Sequence, residues 1–356
     1  MSDRVSLKVN GKVYGGWKTA RISRSIETIA GGFSLSVSER WTNQGEAWPI
    51  FEGDDCTLLL NDSPIIFGYI DSRRLNYDSN QHTVSLSGRD NTGDLVDCSA
   101  LLTTWEFKNV DVLGFAKKIC SPFNIDVTLQ TGITLTRATK LSISPGDTAF
   151  NALEQACRVA GVLPISDGLG GLVLTRAGSS RCGTSLVEGQ NILSASAEFS
   201  TNSRFHKYVV LGQHAGRDDF NGTAAASVKG SAIDSSVTRT ERVLVIRPEH
   251  NVTIASATKR AQWEATTRAA RSDVVTITVQ GWTQADGTLW PVNSLVKVVS
   301  PTIAVDGTML IAQAEYSIDD TSGTTTTLTL KRPDAFKPEP VISKESNLWK
   351  EISRGV

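Results

Sequence analysis

Along the first hundred residues apolar and polar positions alternate with a period of two, which a half-buried strand requires because successive side chains leave on opposite faces. Val5, Leu7 and Val9 alternate with Ser6 and Lys8 and run into Asn10-Gly11, a dipeptide that accepts the positive φ of a tight hairpin. Phe33, Leu35 and Val37 alternate with Ser34, Ser36 and Ser38. The run Ile66-Phe67-Gly68-Tyr69-Ile70 leads through polar residues to Thr83-Val84-Ser85-Leu86-Ser87. Gly31-Gly32, Gly53-Asp54-Asp55 and Asp78-Ser79-Asn80 punctuate these runs as turns. Strands at this spacing predict an antiparallel barrel or sandwich.

The period then becomes helical. After Asp111, an N-cap candidate, Val112, Phe115, Ala116 and Ile119 fall on one face, and Pro122 ends the run. A second helix is predicted over 148–160, with Asp147 as its cap and Gly161 as its left-handed terminator. Its apolar face is Phe150, Leu153, Cys157 and Ala160. A strand pair follows around Asp167-Gly168-Leu169-Gly170-Gly171, so 101–178 reads as a small α/β unit. Strands return at 195–199 and 208–212. Residues 213–237, rich in Gly, Ala, Ser and Asp, predict a long loop. A helix over 253–271 carries Ala257, Ala261, Ala265 and Ala269 at i+4 spacing, a face that permits close packing. The last strands lie at 274–279, 295–299, 309–316 and 324–330, with Asp286-Gly287 and Asp306-Gly307 as turn signals.

The expected organisation is α+β and predominantly antiparallel β. A first β-barrel spans 1–100, the α/β unit 101–178, and a second β-barrel 179–212 plus 273–332. A loop and helix, 213–272, are inserted in the second. No sequence repeat relates the two β blocks. From 333 to 356 an extended tail is stiffened by Pro333, Pro338 and Pro340. It ends in Leu348, Trp349 and Ile352, an apolar cluster too short for a stable helix alone. That cluster is a candidate protein interface, with a partner subunit and the protein's own body as the two candidate supports and a frayed tail as the third reading.

Composition narrows function by exclusion. The chain has 356 residues, 40% hydrophobic and 21% charged, enough for two or three cores without metals or disulfides. A net charge of −1, from 36 basic and 37 acidic residues, argues against a dedicated nucleic-acid binder. The five cysteines form no CxxC, and Cys56 and Cys157 read as small buried hydrophobes of a protein folded in a cytosol. No apolar leader precedes the first strand and no stretch of 18 apolar residues occurs, so no membrane insertion by this chain is expected.

The search for chemistry returns nothing convergent. His82, His206, His214 and His250 are not at metal-ligand spacing, and HExxH, GxSxG and GxxxxGK[ST] are absent. Gly168-Leu169-Gly170-Gly171 joins strands, whereas a phosphate cradle opens a helix. Asp54/Asp55, Asp218/Asp219 and Asp319/Asp320 read as solvated turn residues. The eight tryptophans are dispersed without the spacing of a sugar platform. The expectation is therefore no catalytic, cofactor-binding or metal-binding residue and no cofactor. A tail-associated cell-wall hydrolase, the competing reading from another class, would need a convergent carboxylate or Cys/His pair.

Ser87-Gly88-Arg89-Asp90-Asn91-Thr92-Gly93-Asp94-Leu95-Val96-Asp97-Cys98-Ser99-Ala100 resembles the segment closing the first barrel in central hub proteins of Mu-type contractile phage-tail baseplates. Gly15-Gly16-Trp17, Ser25-Ile26-Glu27, Arg40-Trp41, Gly68-Tyr69-Ile70-Asp71, Trp263-Glu264-Ala265 and Arg332-Pro333-Asp334-Ala335-Phe336 are similar too. The resemblance implies a homotrimeric, non-enzymatic ring of a virion tail baseplate, assembled in a bacterial cytoplasm. Each chain would carry two tail-tube-like barrels, so that three chains present six and adapt a sixfold tail tube to a threefold membrane-piercing spike. Its partners would be its own copies, the tube, other baseplate proteins and the spike, with DNA only in passage. The hub-like part of a type VI secretion spike shares that architecture. Near-zero charge suits a channel wall, because a strongly basic one would retain phosphates.

Overall fold

The computed structural model describes residues 3–38, 49–78, 82–135, 137–178, 180–212, 228–248 and 253–340. Its first block holds β1 (Val5–Val9), β2 (Lys12–Tyr14), β3 (Thr19–Ser25), β4 (Gly32–Ser38), β5 (Asp55–Leu60), β6 (Ser63–Tyr77) and β7 (His82–Asp90). Asn10 and Gly11 take φ of 50° and 76°, the two positive values that a type I′ turn demands, and so join β1 to β2. Neighbours run β3-β4-β7-β6-β5-β1-β2, all antiparallel. The alternation read from sequence becomes one buried face: Leu7, Ile22, Leu35, Leu58 and Leu86 are all sealed from solvent. Each such side chain contributes roughly 1.5–3 kcal/mol of burial. β6 continues well past its apolar run, and Asp71 is the extra residue of a bulge between Ile70 and Ser72.

The α/β unit contains α1 (Gly93–Asp97), β8 (Glu106–Val110), α2 (Val112–Cys120), β9 (Asp126–Leu129), β10 (Ala138–Ser142), α3 (Ala149–Ala160), β11 (Leu163–Ser166) and β12 (Gly171–Thr175). The apolar faces of α2 and α3 enclose a core with Leu172 and Leu174 of β12. Gly161 ends α3 at φ 68°, as the sequence predicts. The cap differs by one residue. Thr148 Oγ1 accepts the Asn151 N–H at 3.2 Å, while Asp147 turns back to accept from Ser144 N at 2.9 Å. Asp147 closes the turn before the helix, and the hydroxyl next to it has the better reach to the orphan N–H.

The second block follows as β13 (Ser180–Arg181), β14 (Leu186–Val187) and β15 (Ser194–Phe199), and resumes as β19 (Asp273–Gln280), β20 (Ser294–Ser300), β21 (Val305–Asp319) and β22 (Gly323–Lys331). Asp306-Gly307 is not a turn. Both residues lie in β21 opposite Val299 and Val298, and the chain reverses before them, closed by the Ala304 N–H to Pro301 carbonyl bond. A dipeptide signal here yields to cross-strand pairing.

The order of strands repeats. The first block reads β3-β4-β7-β6-β5-β1, and the second reads β15-β19-β22-β21-β20, with β13 and β14 beyond β20. Taken in chain order, β3 to β7 of the first block have counterparts at the same places in the second, β15 and β19 to β22. The last three strands are nearly equal in length: 6, 15 and 9 residues for β5 to β7, and 7, 15 and 9 for β20 to β22. β21 is bulged between Ile311 and Gln313, as β6 is between Ile70 and Ser72. The blocks differ at the far edge, since β1 runs antiparallel to β5 and carries β2, whereas β13 and β14 both run parallel to β20.

These ladders show no closed barrel among the described residues. All of these strands belong to one fourteen-stranded sheet, and among the described residues its path runs from β15 to β2 without closing. The reason lies in β21, whose length lets it hold strands of both blocks.

The excursion between β15 and β19 forms a compact unit by itself, Glu198–Asp273 together with the described residues from Asp334 on. It contains β16 (Lys207–Gly212), β17 (Val228–Ile233), β18 (Val243–Ile246) and α4 (Ile254–Arg271). The pattern alone assigns β16 to the second β block and 213–237 to a loop. The structure makes β16 the centre of a separate sheet, β17-β16-β18, and makes the end of that stretch a strand. Tyr208 and Val210 face Ala257, Ala261 and Ala265 of α4, confirming the small-residue face as a close-packing one. At Gly230 a Cβ would run into the backbone of α4 at Ala257, so this strand position admits only glycine.

Candidate assembly surface

The two β blocks meet along an antiparallel ladder between β3 and β21, from Ser25 opposite Gln313 to Ala20 opposite Ile318. One flank of β21 is shared: β20 occupies it from Val305 to Leu310, and β3 from Gln313 to Ile318. The bulge between those halves re-aims the strand, and the carbonyl of Ala312 within it accepts the Ile26 N–H at 2.9 Å. Ile22 faces Tyr316 across the ladder, both buried. The Tyr316 hydroxyl donates to the Trp290 carbonyl at 2.5 Å, and burial raises its pKa above the ordinary phenol value. Trp282 Nε1 donates to the Ser317 carbonyl at 3.0 Å. Ion pairs bracket the junction, Lys331 with Glu27 at 2.6 Å and Lys18 with Asp320 at 3.5 Å. The second pair is mostly exposed and adds little.

The segment that carries the family resemblance is a structural node. Asp90, at the end of β7 and 1% exposed, places one carboxylate oxygen 2.8 Å from Gly31 N and 2.7 Å from Ser166 Oγ. Its other oxygen accepts from Thr92 N at 3.0 Å and Thr92 Oγ1 at 2.5 Å. A buried carboxylate is tolerated only when satisfied in this way. It binds together the β3–β4 turn, the exit of β7 and the β11 strand of the α/β unit. Arg89 beside it spans Asp71 at 2.7 Å and Asp97 at 2.6 Å, and its hydrogen bond holds the Asp97 carboxyl below the usual range. Gly68 and Gly88 are required because β6 and β7 cross so closely that a Cβ on either would strike the other strand's carbonyl.

The carboxylate pairs do not converge into a site. Asp54 accepts from Phe51 N at 2.8 Å, and Asp319 accepts from Thr321 N at 2.7 Å and Ser322 N at 2.6 Å, as turn residues do. Asp218 and Asp219 lie outside the described residues. Cys56, Cys120 and Cys157 are buried, and desolvation pushes each thiol up to about 12, so none is a thiolate near neutral pH. His206 Nδ1 sits 2.7 Å from the Val237 carbonyl. Among the described residues no group of three or more His, Cys, Asp or Glu could hold a metal ion, and no helix is long and apolar enough to cross a membrane.

The candidate contacts Leu348, Trp349 and Ile352 also lie outside the described residues. The start of their segment is described, and it lies on α4. Trp263 Nε1 donates to the Lys337 carbonyl at 2.8 Å, Arg271 Nε to the Ala335 carbonyl at 3.0 Å, and Arg260 pairs with Glu339. Arg260 also stacks 4.8 Å above the Trp263 ring and, with Arg268, flanks the buried Glu264 at 2.9 and 2.7 Å. Sequence reasoning missed this strap because its donors reach backbone carbonyls, which leave no residue signature. It missed Asp90 as well, since a lone Asp after a strand looks like any turn residue.

The chain is a mostly antiparallel β protein in which buried polar groups such as Asp90 join its own strands, and its class follows from comparison with known proteins. Three family profiles match in order: "Mu phage baseplate assembly protein GpP-like, N-terminal" over 4–90, "Baseplate hub protein gp44-like, second domain" over 92–176, and "Mu phage baseplate assembly protein GpP, fourth domain" over 253–339. The chain is 32% identical over 355 residues to baseplate hub protein gp44 of Escherichia phage Mu, covering 98% of this chain and 92% of that one. It therefore belongs to the family of Mu-type baseplate hub proteins. The prophage MuSo2 43 kDa tail protein from Shewanella oneidensis superposes with a TM-score of 0.84 at 35% identity, covering 94% of this chain and 100% of that one. The tail protein from Neisseria meningitidis MC58 does so with a TM-score of 0.81 at 26% identity, covering 95% and 99%. The fold alone extends to the E. coli c3393 protein, a component of the type VI secretion system, with a TM-score of 0.56 at 10% identity over 94% of this chain and 79% of that one.

Proposed function

We propose that the protein is the ring-forming hub of a phage-tail baseplate, three chains of which surround a channel for DNA and adapt a sixfold tail tube to a threefold spike. The observation that carries this reading is the repeated strand order within one chain. Rings of six and three can mate through equivalent contacts only when the threefold partner supplies two like units per chain. The two blocks, around 1–100 and 179–212 plus 273–332, act as those tube-like units. The α/β segment 101–178 and the insertion 213–272 are accessory to the ring, and the tail 333–356 offers Leu348, Trp349 and Ile352 to a neighbouring protein. The role is architectural, with no bond made or broken by this chain. It is exercised in the virion tail baseplate, after assembly in the host cytoplasm. Sedimentation at micromolar concentration tests the reading, and the expected mass is that of three chains. A particle of one chain at every concentration would overturn it.

A further inference from the structure

The repeat fixes where one copy should meet the next, and this inference rests on the ring reading above. Gly68 and Tyr69 of β6 have β5 on one flank and β7 on the other. Past the bulge at Asp71, β7 continues along its flank, but among the described residues no strand occupies the flank beyond β5 from Ser72 to Asn76. In β21 the matching stretch, past the matching bulge, is where β3 binds. β15, the counterpart of β3, likewise has β19 on one flank and no strand on the other among the described residues. Among the described residues the chain thus makes one junction of this kind internally and leaves open the two halves of another.

We infer that β15 of one copy adds antiparallel to the Ser72–Asn76 flank of β6 in the next copy, reproducing between chains the β3–β21 ladder within the chain. Aligning the bulges sets Arg74 in the place of Glu315 and Leu75 in that of Tyr316. On β15, Ala195 and Ala197 pack toward the core as Ala20 and Ile22 do on β3. Ile22 faces Tyr316 and Ser23 faces Glu315. The transferred register therefore sets Ala197 opposite Leu75 and Glu198 opposite Arg74, an apolar pair beside a pair of opposite charge. Leu75 is 60% exposed in the single chain although it shares the face of the buried Val84 and Leu86, and the incoming strand supplies its missing cover. Backbone pairing gives the affinity, as in other strand additions, and the alternate side chains give the register. The contact is head to tail, joining a second block to a first block, and such a contact propagates into a closed ring.

Directly opposed residues in an antiparallel pair lie about 4.5–5.5 Å apart at Cα, within reach of a disulfide. The test is an Arg74→Cys/Glu198→Cys chain, mildly oxidised and run without reductant beside each single variant. The expected product is a cross-linked species of three chains that neither single variant forms. In parallel, Leu75→Asp places a charge in the joint without touching the buried core, and should weaken assembly about tenfold per contact while the chain keeps its circular dichroism. A three-chain particle that neither cross-links nor responds to Leu75→Asp overturns this joint and leaves the ring standing, with the β6 flank then covered by another segment. A chain that stays single before any substitution overturns the ring itself.

Discussion

At the scale of the residue, Asp90 shows how an acidic side chain can serve as a fastener. Its carboxylate is the common acceptor for Gly31, Thr92 and Ser166, which come from three separate stretches of chain. Asp90→Ala leaves those buried donors without a partner, at about 1–3 kcal/mol each before any relaxation. The expected outcome is a loss of about 3 kcal/mol or more in a urea titration, with Asp90→Asn losing less because its amide oxygen still accepts. The neighbouring Arg89–Asp97 pair makes a pH prediction. Asp97 has its pKa lowered in the folded state, so its contribution is present above the unfolded value near 4 and is lost as pH falls through the folded one. Asp97→Asn should therefore lower stability slightly above about pH 4 and leave it unchanged well below that, so that the acid limb is flatter by a small amount because the pair is largely exposed.

At the scale of the element, the segment strapped to α4 rests on Trp263, whose indole N–H holds the Lys337 carbonyl while Arg260 covers the ring. Trp263→Ala removes both contacts. Chymotrypsin should then cut after Phe336, inside the released segment, several times faster, while far-ultraviolet circular dichroism keeps its helical signal. Elements of this size were legible in the sequence where one local rule sufficed. Asn10-Gly11 produced its hairpin, and the alanines of α4 produced its flat face. The reading failed where a distant partner decided the outcome. Asp306-Gly307 looks like a turn until β20 pairs with it, and β16 looks like part of the main sheet until β17 and β18 flank it. The polar half of β6 gave only polar residues between two runs and no strand expectation, because its alternation, Arg73, Leu75 and Tyr77 on one face, includes a charge.

At the scale of the whole molecule, two β blocks were legible but their repeat left no sequence signature, because the blocks share strand order, length and bulge and not residues. β4 and β19 align strand for strand, yet the connection before β4 is a short turn and that before β19 is an entire folded unit. Burial constrains only that a position be apolar, so Leu86 and Leu328 match while their outward neighbours do not. Mass in solution tests the arrangement this implies, and the strand-edge substitutions test how it is made.

The unequal connection has a consequence of its own. Because the excursion Glu198–Asp273 interrupts only one of the two like blocks, a collar of three chains would carry it at every other station. The mismatch between neighbouring symmetries would thus be written into the chain as a single insertion, with no need for two kinds of subunit.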